Sequence, residues 1–448
     1  MKWLKRILIA LVLLLAVAAA VPFFVTLDDY IPRIEKEASA KLKEPVTVKS
    51  IKFGMLPLPH ITVDGIAVGK TEDVKLGKVT VTPALSSLFA ATKVIKSIEL
   101  KSLVLTQKAI DKIPVWSKAD GAKSPDQPPL ARIESIRLDD ALVKFDKSTF
   151  GPFDARVSLD SKGEPVEALI TTQDGKLKVS VKPDKSNYLL DAAAKNWKSP
   201  VGPAIEFDEL IIKGVATLHN ADFSQISAKL YGGTVNGKGT AAWQKGLQVK
   251  GNFDINQVEL KSLVPLVSPG TKMSGRLNAK PVFSAAAADA GQILGALHLE
   301  TPFNVQNGIL HGVDIQKAAT SLIKKGDGGG ETHFDQLSGH LVRDRRAHQF
   351  TQLKISSGAL AADGNVNISP KQELSGKVNA QVKALGTSAG VPLNVTGTVQ
   401  SPMLYPSAGT MAGAAIGTVL MPGVGTGLGV KAGQAIENLF GKKDPAKK

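Results

Sequence analysis

Apolar and polar side chains alternate one by one along most of this chain, and that period of two constrains its fold more than any other feature. Leu247, Val249, Phe253 and Ile255 alternate with Gln248, Lys250, Asn252 and Asp254, and Leu374, Val378, Ala380 and Val382 alternate with Ser375, Lys377, Asn379, Gln381 and Lys383. Each such run is a strand with one apolar face and one wet face. The pattern predicts roughly twenty strands and only two or three short helices. A sheet of that extent must bury its apolar face against helices, against another sheet, against itself, or against something that is not protein. Helices are too few to roof it, so the sheet is expected to curl into a packed sandwich or a lined groove.

The N-terminus supplies an address. Lys2, Lys5 and Arg6 precede 21 uncharged residues from Ile7 to Leu27, about the number a helix needs to cross ~30 Å of hydrocarbon. A basic flank keeps its own side in the cytoplasm. Everything after Leu27 is therefore expected outside the cytoplasm, behind a single-pass anchor. A cleaved signal peptide is the competing reading, with Ala18 and Ala20 as an A-x-A site, although Val21 to Val25 prolong the apolar run beyond it.

The net charge of +15 comes mostly from lysines set singly on polar strand faces, with only nine arginines. Such a surface reads as a solvated face that can also meet anionic lipid head groups. No element suited to reading nucleic acid is present, and no nucleic-acid partner is expected. The absence of cysteine removes disulfides and thiolate metal sites.

Along the chain, residues 1–27 read as the anchor and 28–116 as an amphipathic helix (30–43) followed by strands. Residues 117–130, rich in Ser, Lys, Asp, Gly and Pro, read as a linker. A middle β region covers 131–290, with a short helix at 258–267. A C-terminal β region covers 291–406, with one good helix: Asp314 is its N-cap, Ile315, Ala318, Ala319, Leu322 and Ile323 form its stripe, and Lys324, Lys325 and Gly326 close it. In the tail, 407–448, Gly409, Gly413 and Gly417 recur at spacing four, as do Gly425, Gly429 and Gly433 after Met421-Pro422-Gly423. This reads either as a glycine-striped helical hairpin or as a flexible tail.

Catalytic patterns are missing. His333, His340 and His348 lack metal-ligand spacing, Gly232, Gly237 and Lys238 are followed by Gly239 where a phosphate loop needs Ser or Thr, and no nucleophile elbow occurs. Asp139-Asp140 and Asp208-Glu209 point to opposite strand faces and cannot act on one substrate together. No enzyme activity, cofactor or metal is expected.

The plan resembles the AsmA family of bacterial inner-membrane-anchored periplasmic proteins. The resemblance is carried by the anchor, helix and strands of residues 1–116. It is also carried within 293–402 by Asn307-Gly308-Ile309-Leu310, Gly312, Asp314-Ile315, Phe334, Leu337, Gly339, Gly364-Asn365-Val366, Ile368, Val391-Pro392-Leu393, Gly397-Thr398 and Pro402. The middle is similar only in strand character. The resemblance implies a mainly β fold: a long, curled, largely antiparallel sheet forming an apolar groove along which phospholipid moves toward the outer membrane. Periodicity then makes Val249, Phe253, Ile255, Val378, Val382, Leu393 and Val395 the candidate lipid-facing residues. The glycine tail departs from the family pattern and is expected to meet the distal membrane or an envelope protein. The alternative function is a non-enzymatic scaffold that assists outer-membrane protein assembly by strand addition at open sheet edges.

Overall fold

The computed structural model describes residues 27–87, 90, 92–116, 131–144, 149–200, 202–244, 246–288, 290–320, 329–382, 390–411, 430–431 and 434. Among them are 23 strands and four complete α-helices, the longest of 12 residues. The chain divides into two compact units. Residues 1–201 with 215–217 form the first, and residues 202–214 with 218–448 form the second. The boundary falls inside the 131–290 region.

In the first unit, α1 (Ile31–Leu42) leads into β1 (Val46–Gly54), β2 (His60–Val68), β3 (Val74–Pro83) and β4 (Lys93–Thr106). Then follow α2 (Gln107–Trp116), β5 (Ala131–Ile133), β6 (Ser135–Lys144), β7 (Thr149–Leu159), β8 (Pro165–Thr172), β9 (Leu177–Asp184) and β10 (Asn187–Lys198). From β1 to β4 and from β6 to β10, each strand pairs antiparallel with the next. The exception is β4, which pairs in parallel with both β5 and β6. A parallel pair needs a long crossover, and the chain supplies one through α2 and residues 117–130.

Helix α1 starts with Pro32 in its first turn and ends at Lys43, whose φ of 56° is left-handed, just before Pro45. With the Asp28–Tyr30 turn before it, it lies along the outer edge of β1 and satisfies donors that an edge strand otherwise leaves unpaired. The N–H groups of Val46, Val48 and Ile51 donate to Ser39 Oγ (2.9 Å), Glu35 Oε1 (2.7 Å) and Asp28 Oδ1 (3.0 Å). Helix α2 is tied down by Lys112, whose Nζ lies 2.7 Å from Glu44 Oε1 and 3.0 Å from Asp73 Oδ2. Asp73 is buried and also accepts from the Thr71 hydroxyl at 2.6 Å.

The second unit contains most of β11 (Glu206–Ala216), then β12 (Asn220–Leu230), β13 (Gly233–Ala242), β14 (Leu247–Glu259), α3 (Leu260–Val267), β15 (Met273–Ala279), β16 (Val282–Ala287) and β17 (His298–His311). It continues with α4 (Ile315–Thr320), β18 (Glu331–Asp344), β19 (Ala347–Ser356), β20 (Leu360–Ile368), β21 (Leu374–Val382), β22 (Val391–Thr398) and β23 (Ser401–Pro406). From β12 onward neighbours pair antiparallel. Strands β15 and β16 share one place in the order, each pairing a different stretch of β14 and of β17. Bulges at Gln257, Asn307 and Gln352, all with φ of 50° to 55°, kink these strands.

Helices α1 and α3 fall within two residues of the expected 30–43 and 258–267. The expected Asp314 cap is present, its Oδ1 accepting from Lys317 N at 2.8 Å. The rest of that expected helix, including Leu322, Ile323 and Lys324 to Gly326, lies outside the described residues. So do the anchor apart from Leu27, the 117–130 linker, and Gly413, Gly417, Gly425, Gly429 and Gly433. Among the described residues no helix is long and apolar enough to cross a membrane. Of the tail glycines only Gly409 is described. It stands in a helical turn over 408–411 that begins at Ser407, where Thr410 is fully buried and Gln434 Nε2 donates to Gly390 O at 2.9 Å.

Candidate functional site: an apolar sheet face

Residues directly opposite in a ladder project from the same face, so the register converts one-dimensional alternation into rows across the sheet. In the first unit one row reads Phe53, Ile61, Val81, Ile98, Ile136, Val157, Ala168, Val181 and Leu190. A second, two residues along each strand, runs from Ile51 through Val63, Val79, Leu100, Leu138, Ala155, Ile170 and Val179 to Ala192. Both cross nine strands without a polar interruption. Of their eighteen members only Ile51 is buried, and Ile61 is 39% exposed. Among the described residues no helix of the unit roofs these rows: α1 is spent on the edge of β1 and α2 on the Glu44–Asp73 corner. The opposite face carries ion pairs such as Lys52–Asp64 (3.2 Å) and Lys182–Glu167 (3.4 Å).

The second unit has the same construction with a partial roof. Its inner row reads Val258, Leu277, Val305, Leu337, Ile355, Ala362, Ala380 and Val391. Here Val258, Val305 and Ala380 are 1%, 2% and 0% exposed. The difference from the first unit is helical cover. From α3, Leu260, Leu263 and Val264 pack on Val305, Phe334 and Leu337, and from α4, Ile315 and Ala319 pack on Leu360, Ala380 and Leu393. Glu259 caps α3, its carboxylate accepting from Lys261 N and Ser262 N, and so turns the chain from β14 onto the sheet.

The seven candidate lipid-facing residues divide along this line. Val382 and Leu393 are buried in the cluster beneath α4, and Val395, two residues beyond Leu393 on the same strand, is buried as well. Val378 borders it, while Val249, Phe253 and Ile255 are half-buried on strand β14. All seven share the face, but only the last three stand on the part that α3 and α4 leave uncovered. The first-unit rows held no candidate, because alternation shows that a strand has an apolar side without showing which strands lie next to one another.

Glycines sit opposite phenylalanines on this face. Phe253 is the register partner of Gly237, Phe283 of Gly251, Phe303 of Gly339 and Phe334 of Gly308. A Cβ at Gly251 would stand 2.7 Å from the Phe283 ring, and one at Gly339 would stand 3.1 Å from that of Phe303. The rings therefore lie over glycine backbone instead of standing up from the sheet. Phe253 and Phe283 stack with centroids 5.4 Å apart.

Charged side chains reach the face at the β18–β19 hairpin. The row Leu299, Arg343, His348, Ile368 and Leu374 brings two cationic residue types among aliphatic ones. Burial lowers the Arg343 pKa, and burial together with the Arg343 charge lowers that of His348. Near the start of α4, a cleft of about 950 Å³ is lined by Asp314, Lys317, Glu331, His333 and Asp335 among others. Among the described residues no three His, Asp or Glu side chains are grouped to share a metal ion.

The fold and site define a mainly β protein whose sheets carry extended apolar faces with few helices over them. Residues 211–345 match the AsmA family model, which assigns this segment, from β11 to the β18–β19 turn, to an AsmA family domain. The match takes in the middle strands, where the sequence resembles the family only in strand character, as well as Asn307 to Ile315 and Phe334 to Gly339. No curated protein and no solved structure matches the chain.

Proposed function

We propose that this protein is an inner-membrane-anchored periplasmic protein of cell-envelope biogenesis that carries phospholipid acyl chains along its apolar sheet face toward the outer membrane. The observation that carries this reading is the pair of unroofed nine-strand rows in the first unit. A face that wide, left half-exposed by its own chain, asks for an apolar partner. An acyl chain is suited to it, because each methylene withdrawn from water gains about 0.8 kcal/mol and needs no directional contact. Ten such methylenes give roughly 8 kcal/mol, within the range that association costs. The AsmA match, the apolar segment from Ile7 to Leu27 and the lysine-rich polar face support the same reading. The scaffold alternative requires free sheet edges, and it is weakened where α1 occupies the β1 edge and where Pro402 and Pro406 remove donors from β23.

The test is mass spectrometry of lipid retained by the full chain after detergent extraction and gel filtration. The expected result is phospholipid in at least equimolar amount, reduced in Ile98→Asp, Val181→Asp and Phe253→Asp. A wild-type chain that emerges folded and free of lipid sinks the reading.

A further inference from the structure

We propose that the β18–β19 hairpin binds the phosphate of an amphiphile whose apolar part lies on the adjoining sheet face, an inference that rests on the lipid-carrying reading above. Three of the nine arginines fall within four residues here: Arg343, Arg345 and Arg346. None of the three is in an ion pair among the described residues. Asp344, the nearest carboxylate in sequence, belongs to the opposite face, where it lies 3.8 Å from His298 Nδ1.

Arg343 is the member that reaches the apolar face. Its Nε donates to Arg345 O at 2.8 Å and its Nη2 to Leu294 O at 3.1 Å. Those two bonds fix the plane of the guanidinium and use two of its five donors, leaving Nη1 without a partner among the described residues. Directly across the ladder, His348 has its Nδ1 shut off from solvent and equally without a partner. A guanidinium and an imidazole placed side by side among Leu299, Ile368 and Leu374, with no acid between them, cost desolvation that the two carbonyls on Arg343 offset only in part. A phosphate at this point would accept from the planar fork, with exposed Arg345 and Arg346 at its outer side. The row then marks where the apolar part of a ligand gives way to its charged end.

The test uses the full chain in detergent with three probes: phosphatidylglycerol, diacylglycerol with the same acyl chains, and inorganic phosphate. Wild type is expected to retain phosphatidylglycerol about tenfold better than diacylglycerol, the size of effect a charge-assisted bidentate contact gives. Arg343→Gln should bring the two lipids to near parity while leaving diacylglycerol retention unchanged. Arg345→Gln/Arg346→Gln, at exposed positions that bear on no packing, should lower the preference part of the way. Equal retention of both lipids by wild type, or a preference untouched in both variants, overturns the headgroup site and leaves the lipid-carrying reading standing. Binding of inorganic phosphate with no preference between the lipids also overturns it, in favour of a free-anion site. Retention of neither lipid removes both proposals.

Discussion

Gly237 stands opposite Phe253 in the β13–β14 ladder, and the Phe253 ring lies where a Cβ on Gly237 would be. The same substitution of ring for side chain recurs at Gly251 and Phe283. Glycine is ordinarily a weak residue inside a strand, and here the ring supplies the packing that the glycine lacks. Gly251→Ala is therefore expected to destabilise by about 1–3 kcal/mol through overpacking, read from denaturant unfolding. Gly295→Ala, with nothing within 4 Å of the added carbon, is the control and should be near neutral. A Gly251→Ala chain as stable as wild type would contradict the packing described.

The β1 edge rests on carboxylates. Glu35→Ala removes the acceptor of the Val48 N–H, and Asp28→Ala that of Ile51. Hydrogen exchange should then accelerate at those two amides while Val63 and Val79, inside the same sheet, keep their protection. Unchanged exchange at Val48 in Glu35→Ala would show that the helix does not guard the edge.

The roof of the second unit should be visible in energetics. Leu393→Ala, beneath α4, is expected to cost about 2–5 kcal/mol. Leu100→Ala, on the unroofed first-unit row, removes less buried area and should cost roughly 1–2 kcal/mol. Similar losses at the two sites, measured by chemical denaturation, would mean that Leu100 is covered in solution.

The Lys112 corner gives a pH signature. The Thr71 hydroxyl and then the Lys112 ammonium lower the Asp73 pKa against the opposing effect of burial. A carboxylate whose folded pKa lies below its unfolded value contributes stability above about pH 3.9, and this is lost as pH falls through the folded value. Glu44 and then Asp73 raise the Lys112 pKa, so its contribution is full below about pH 10.4 and is lost as pH rises through the folded value. Asp73→Asn should lower thermal stability at pH 7 and flatten its decline between about pH 5 and pH 2. A decline as steep as that of wild type would remove Asp73 as its source.

Much of this architecture is written locally. Alternation from Leu374 marks β21, Asp314 announces a cap, and the helix expected over 30–43 is α1. Register is not local. Nothing in the spacing of Ile98 and Ile136 says that they are neighbours across a parallel pair, and Phe253 and Gly237 are separated by 16 positions before the ladder brings them together. Covering is also a tertiary property: Val382 and Val249 read alike in sequence, and only the position of α4 buries one and leaves the other half-exposed. Arg343 and His348 are ordinary polar residues of a hairpin until the pairing places both on the apolar side.

The rows have one more consequence. Neighbouring strands repeat at about 4.8 Å, and each step from Ile61 to Val157 along the first of these rows exchanges one branched aliphatic contact for another of nearly the same size, with no hydrogen bond to break. A hydrocarbon chain lying across such a surface would meet low corrugation: its energy is large in total yet almost level from one strand to the next, so strong adhesion and easy sliding can coexist.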